Sequence, residues 1–308
     1  MSTSGPHGRV RNLMDTADTC GFLGGRGRMT RSLKAGVVSL AAGGALTLAA
    51  VCGGGTAAVS LSKAAPASYG TMTRVSRGLE QGDMLTESGN WAGYVIQPGQ
   101  DVGDVSGEWT VPALDCQQTP NALDAMWAGI GGVPSDAELL QTGVSDSCKG
   151  GVQQHWAWWE LWPASPVNLG LRVFPGDEMA ASVYRDQAGQ WVTRIDNLTT
   201  GWSGWMFAGG TYGVGRDGSG TFTREGSASY ISYAGGRTAE WVVEKPSVAG
   251  PEVVSFPDFG TVQFSDLRTG LQSWSLSPDE GEEIIYDHRA LAVPGLPDGD
   301  GFTVSYTG

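Results

Sequence analysis

From Ser88 to the C-terminus the chain offers hardly a window with helical period, and Gly, Pro, Asn and Asp interrupt it throughout. Between the interruptions lie short runs rich in Val, Ile, Trp, Tyr, Phe and Thr, the pattern of β-strands. Fifteen candidates follow one another: 90–97, 105–111, 125–130, 138–144, 154–162, 168–174, 178–184, 190–197, 204–207, 227–232, 238–243, 253–256, 261–266, 283–287 and 302–306. So many short strands without helical connectors predict an all-β antiparallel sandwich or barrel, built as one domain.

The segment ahead of that region has another character. Arg26, Arg28, Arg31 and Lys34 precede a small and apolar stretch over 35–61, followed by Ala64-Ala65-Pro66-Ala67. This is the order of an export signal, so residues 1–65 are expected to be a leader holding a signal peptide or a weak anchor, with cleavage within 58–67 and a secreted product. Residues 66–85 are a polar linker or short pro-segment, and 86–308 the sandwich domain. Cys20 and Cys52 fall in the leader, which leaves Cys116 and Cys148 for the exported part. An even pair in an oxidising compartment reads as one disulfide.

Charge narrows the partners. Residues 66–308 carry 12 basic and 30 acidic groups, a formal net of −18. Such a surface repels nucleic acid and anionic lipid, so neither is expected as a partner of the mature form, which is expected to be a monomer. Acid would relieve the repulsion, which suits an acidic medium.

Several hydrolytic chemistries lack their residues. Outside the leader stand only His155 and His288, and no His-Glu-x-x-His pattern occurs, so a zinc site of that kind is not expected, nor any other metal or cofactor. A Gly-x-Ser-x-Gly elbow and a pair of Asp-Thr/Ser-Gly strings are also missing. Carboxylates and amides remain. All twelve Trp lie after residue 90, four of them within 156–162. On a strand there, Trp158, Glu160 and Trp162 share one face, and Ala157, Trp159 and Leu161 the other. A carboxylate between two indoles fits a cleft; a buried structural Glu is the alternative.

Six strings stand out: Asn90-Trp91-Ala92-Gly93-Tyr94, Gly107-Glu108-Trp109-Thr110-Val111-Pro112, Trp127-Ala128-Gly129-Ile130-Gly131-Gly132, Leu139-Leu140-Gln141-Thr142-Gly143, Trp158-Trp159-Glu160-Leu161-Trp162-Pro163 and Ala239-Glu240-Trp241-Val242-Val243-Glu244. Together and in this order they resemble the eqolisin family of glutamic peptidases, in the manner of its bacterial branches, from about Asn90 to Phe264. The resemblance implies a β-sandwich of two curved antiparallel sheets, similar to the concanavalin A-like lectin and glucanase fold, with a concave substrate face. It implies a protein or peptide substrate and a catalytic pair of Gln141 and Glu240. Trp91, Trp127, Trp158 and Glu160 match cleft positions. Glu244 shares a strand face with Glu240 and is the alternative base.

Those residue types suit amide hydrolysis, which needs a base for water, a donor for the oxyanion and an acid for the leaving nitrogen. One Glu can be base and then acid if burial raises its pKa. A Gln amide donates without charge at any pH. Taken singly, a strand Gln is more often a solvated polar position, so the weight rests on the six strings together. Fungal members carry Asp where Gly131 and Ser145 stand here, which alters the acidic surroundings of the pair. Two other readings use the same residues: a glycoside hydrolase with Glu160 and Glu240 as paired carboxylates, and a non-catalytic carbohydrate-binding sandwich.

Overall fold

The structure, a computed structural model, describes residues 67–73, 85–133, 138–207, 210–216, 224–227, 232–248, 254–271 and 274–308. The expected leader and most of the expected linker lie outside the described residues. Nineteen strands follow one another: β1 Ala67–Ser68, β2 Thr86–Ser88, β3 Trp91–Ile96, β4 Asp104–Thr110, β5 Asn121–Gly131, β6 Leu139–Lys149, β7 Val152–Trp162, β8 Val167–Asn168, β9 Glu178–Arg185 and β10 Trp191–Asn197. Then come β11 Trp202–Phe207, β12 Thr211–Arg216, β13 Arg224–Ser227, β14 Ala239–Glu244, β15 Ser247–Val248, β16 Thr261–Thr269, β17 Gly281–Tyr286, β18 Arg289–Pro294 and β19 Phe302–Tyr306.

Sixteen of these strands form two sheets, while β1 and β15 pair as a separate two-stranded ribbon and β2 runs parallel to β17 at the margin. One runs β3-β14-β5-β6-β7-β8. The other runs β13-β12-β11-β10-β9-β4-β16-β19-β18-β17. Every pairing within the two is antiparallel. A two-residue contact between β17 and β3 joins them at one margin. Among the described residues the far ends, β8 and β13, do not pair, so the arrangement is a sandwich and not a closed barrel.

The two sheets differ in how their faces are used. Burial alternates along β4 and β16, as expected of strands with one face in the core and one in water. In β3 and β14 all six residues are buried. The back of that first sheet supplies Tyr94, Met126, Ile130, Leu140, Val144, Trp159, Trp241 and Val243 to the main core, against Trp109, Val183, Ile195, Phe264 and Phe302 from the other sheet. Trp241 crosses the interface to donate its indole N–H to the Ser106 carbonyl at 2.7 Å. The front carries a second apolar cluster of Tyr69, Met72, Trp91, Val95, Trp127, Leu139, Trp158 and Val242. A strand covered on both faces holds polar side chains only where they have work or partners.

Most expected strands are present, and β3, β7, β9, β10, β14 and β19 lie within two residues of their expected limits. Strands β12 and β18 were not expected. Alternating glycines (Gly213, Gly215) hide β12, and β18 follows a hairpin turn made by Asp287 and His288, both at positive φ (50° and 63°), in place of the usual Asn-Gly pair. Of the strand expected at 168–174 only Asn168 is paired, and 253–256 contributes a single bridge at Ser255. Cys116 and Cys148 form the expected disulfide, with Cα atoms 5.2 Å apart. It ties the loop after β4 to the end of β6. The bridge spans 32 residues, for which chain entropy gives about 3–4 kcal/mol. Replacing both cysteines by Ser is therefore expected to lower the melting temperature by on the order of 10 °C, read by calorimetry; an unchanged melting temperature would contradict this.

Candidate active site

Cross-strand register lays the front of the first sheet out as three rows. The first reads Glu160, Gln141, Gly129, Glu240, Val95 across β7, β6, β5, β14 and β3. The second reads Trp158, Gly143, Trp127, Val242, Gly93, and the third Trp156, Ser145, Ala125, Glu244, Trp91. All seven residues expected in a site (Gln141, Glu240, Trp91, Trp127, Trp158, Glu160 and Glu244) therefore share one sheet face. All seven are fully buried. Strands stand about 4.8 Å apart, so the backbones of Gln141 and Glu240 are about 10 Å apart, with Gly129 between them.

Glycine makes this face concave. A Cβ on Gly129 would lie 2.9 Å from the Trp127 ring and 3.0 Å from Gln141 Cβ. One on Gly143 would meet the Met126 carbonyl oxygen at 2.2 Å. The large side chains thus form walls around a floor of bare backbone.

The polar groups form two connected sets. Gln141 Nε2 donates to Glu160 Oε2 at 2.7 Å. Glu244 Oε2 accepts from the Trp127 indole N–H at 2.9 Å, and its Oε1 accepts from Asn90 Nδ2 at 3.4 Å. Trp91 stands edge-on to Trp127, with centroids 4.9 Å apart. Glu160 and Glu244 are thus each held by a donor, Gln141 or Trp127, that is itself fully buried.

Residues 69–73 of the chain lie across this face. Gln141 Nε2 donates also to the Tyr69 carbonyl oxygen at 3.2 Å, and the next amide, Gly70 N–H, donates to Glu244 Oε1 at 3.0 Å. The two ends of one peptide bond are thus gripped by an amide from β6 and a carboxyl from β14. Trp91 Nε1 donates to the Gly70 carbonyl at 3.1 Å, and Asn90 Nδ2 to that of Thr71 at 3.2 Å. The Tyr69 ring stacks on Trp158, centroids 4.1 Å apart and planes 15° from parallel. Ser145 Oγ donates to its phenol oxygen at 2.6 Å. Glu240 is in the row of Gln141, whereas the bond to this peptide group comes from Glu244, two rows further along the face.

Burial sets the protonation of the site. It is the first cause pushing Glu160 up to about 9, with the nearby Glu244 charge adding to it and the Gln141 hydrogen bond opposing. Burial likewise pushes Glu244 up to about 8, against the hydrogen bonds from Gly70, Trp127 and Asn90. Gln141 Oε1 and Glu160 Oε1 have no hydrogen-bond partner among the described residues.

Two departures from the fungal pattern have a local reason. Gly131 has φ of 93°, and a Cβ there would lie 2.4 Å from the Glu138 carbonyl oxygen, so no Asp fits. Ser145 faces the cleft, while Asp146 points to the opposite face, where its Oδ1 lies 2.5 Å from His155 Nδ1. Sequence reading missed Tyr69, Gly70 and Ser145 as site residues. One signal was available: Tyr69 is the only aromatic residue within 66–85.

Known proteins share the family and the fold. The family model of the peptidase A4 family matches residues 89–291. Aspergillopepsin-2 of Aspergillus niger is 27% identical over 240 residues, covering 71% of this chain and 78% of that protein. Scytalido-glutamic peptidase, solved with a peptide-based transition-state analogue, superposes with a TM-score of 0.53 at 23% identity, over 71% of this chain and 98% of that one. SCP-B, solved as an eqolisin-family member in complex with the tripeptide Ala-Ile-His, gives 0.50 at 23% identity over the same shares. These structures share the sandwich fold.

A pH dependence follows from the two raised carboxyls. In the folded state they bind protons that the unfolded chain, near pH 4.5, has already released. Their contribution to stability is therefore complete below about pH 4.5 and is lost as pH rises through about 8–9. The melting temperature is expected to fall between pH 5 and pH 9, and to fall less steeply in Glu160→Gln. Equal slopes for the two proteins in a calorimetric pH series would contradict this.

Proposed function

We propose that this chain, which belongs to the peptidase A4 family and is a glutamic endopeptidase, hydrolyses peptide bonds with Gln141 and Glu244 as its catalytic pair. The observation that carries the reading is the Tyr69–Gly70 peptide group, whose carbonyl oxygen accepts from Gln141 and whose N–H donates to Glu244. The first is where negative charge develops during amide hydrolysis, and the second is the nitrogen that must be protonated as it leaves. Glu244 takes a proton from a water as the water oxygen bonds to the carbonyl carbon. The developing oxyanion is met by the Gln141 N–H. Glu244 then returns the proton to the nitrogen, the C–N bond breaks, and acid and amine products form.

The neighbours of the pair act on its orientation. Glu160 accepts one Gln141 N–H and so aims the other at the carbonyl oxygen. Trp127 holds one oxygen of Glu244 and leaves the second facing the peptide nitrogen. Burial is the first cause of Glu244's raised pKa. Water at the carboxyl weakens that cause, which brings ionisation toward the acid range where a base is needed. The reading moves the base from Glu240 to Glu244, the alternative position in the same string, because Glu244 accepts a hydrogen bond from a peptide N–H of the segment lying in the cleft. It uses no metal.

Export supports an acid-acting role in the same proposal. The basic residues ahead of an apolar stretch at 35–61, the disulfide and the acidic balance of 66–308 all suit a secreted enzyme. The substrate is an extended protein or peptide, since the bound segment is extended and held largely by its backbone.

The test is digestion of acid-denatured protein, with a chelator present throughout. Gln141→Ala and Glu244→Gln are each expected to lower kcat by roughly a thousandfold, and Glu244→Gln by more than Glu240→Gln. A larger loss in Glu240→Gln would return the base to Glu240, and full activity in both Gln141→Ala and Glu244→Gln would remove the pair.

A further inference from the structure

The two sheets do not close on one another everywhere. Where β6 and β7 face β10 and β11, a cavity of about 230 Å³ remains. Leu140, Trp159 and Leu161 line it from the first sheet, Trp191 and Met206 line it from the second, and Tyr233 closes one side. We propose that this cavity binds a small apolar carboxylic acid, with its ring or branched body between the sheets and its carboxylate at Arg185 in the mouth. The site lies on the core face of the first sheet, opposite the cleft. It is therefore separate from the peptidase site and independent of that reading.

The walls suit an apolar guest. All six of these side chains are more than nine-tenths buried. The Tyr233 hydroxyl donates to the Ile130 carbonyl at 2.6 Å, and its ring is tilted against Trp191 with centroids 5.0 Å apart. Ile130, Leu140 and Leu161 form one cross-strand row, so the turn that carries Tyr233 is tied to the same row as the floor. An apolar cavity of about 150 Å³ stays free of water and takes benzene. This one has room for a ring with a short chain.

The mouth suits a negative charge. Arg185, exposed at the end of β9, lies over the Trp191 ring with its guanidinium carbon 4.4 Å from the centroid. Stacking fixes the plane of a guanidinium and leaves its edge for the two oxygens of a carboxylate. Among the described residues Arg185 makes no ion pair, although acidic groups outnumber basic ones by 30 to 12 over 66–308. The indole N–H groups of Trp159 and Trp191 also lack an acceptor there. A neutral apolar guest leaves Arg185 unanswered, and a cationic one is repelled by it. An acid fills the apolar space and brings acceptor oxygens to the same wall.

The experiment uses the full chain at about pH 5.5, where simple carboxylic acids are ionised, with 3-phenylpropanoate as probe and titration calorimetry as readout. Binding in roughly the millimolar range is expected, and about 20 mM probe is expected to raise the melting temperature by roughly 4 °C. 3-Phenylpropanamide keeps the ring but not the charge, and is expected to bind about tenfold more weakly. Arg185→Gln is expected to erase the difference between acid and amide. Ala234→Trp, at an exposed position of the lining, is expected to abolish binding of both. Glu244→Gln, changed only in the cleft, is expected to bind as the wild type does. N-acetylphenylalanine separates two sources of the same chemistry: binding equal to that of 3-phenylpropanoate assigns the site to peptide termini, and weaker binding assigns it to free acids. Unchanged binding in both Arg185→Gln and Ala234→Trp would place the acid elsewhere and overturn the proposal. Loss of binding in Glu244→Gln would place it in the cleft, with the same consequence, and so would the absence of any binding.

Discussion

Everything at the cleft depends on strand register. Side chains alternate across a sheet with a period of two, so slipping β6 by one residue against β5 and β7 would send Gln141 and Ser145 into the main core and bring Leu140, Thr142 and Val144 to the cleft. The register is pinned from both faces. Behind it, Leu140, Val144, Trp159 and Trp241 are locked into the core. In front, Gly129 and Gly143 sit where no other residue has room. With register held, five strands deliver one residue each to a common row, and a Gln far from a Glu in sequence comes to share a hollow with it.

That hollow is a dry place for charge. Glu160, Glu240 and Glu244 are all fully buried on one face, and burial is the first cause that holds Glu160 and Glu244 in their protonated forms. Indoles carry much of the arrangement because each offers a large apolar body with one N–H. Trp127 spends its N–H on Glu244, and Trp91 spends its own on the backbone of residue 70. The acidic setting favours keeping these carboxyls neutral until water or substrate enters, and the excess of acidic groups over 66–308 makes the same setting favourable for the fold as a whole.

Much of this was legible in the chain. The alternation in 154–162 placed Trp158 and Glu160 together on one side, and the six strings led to the sandwich and to Trp91, Trp127 and Gln141 on the same face. Two features were not legible. Glu240 and Glu244 have the same parity on one strand, so no periodicity separates them; the hydrogen bond from Gly70 N–H to Glu244 is visible only in the structure. Tyr69 and Gly70 sit in a polar stretch with no strand pattern, and they join the cleft through backbone hydrogen bonds, which leave no mark on side-chain composition. The glycines at 129 and 143 lie inside expected strands, where the sequence alone does not show that they let neighbouring side chains approach.

The central claim is that Gln141 and Glu244 hold opposite ends of one peptide bond. A crystal structure of the Glu244→Gln chain lacking residues 1–73, soaked with the peptide Ala-Ser-Tyr-Gly-Thr-Met, tests it most directly. The account predicts the Tyr carbonyl oxygen near 3.2 Å from Gln141 Nε2 and the Gly nitrogen near 3.0 Å from the side chain at position 244, as residues 69 and 70 lie now. A peptide whose Tyr-Gly bond lies instead against Glu240, or away from Gln141, would contradict it.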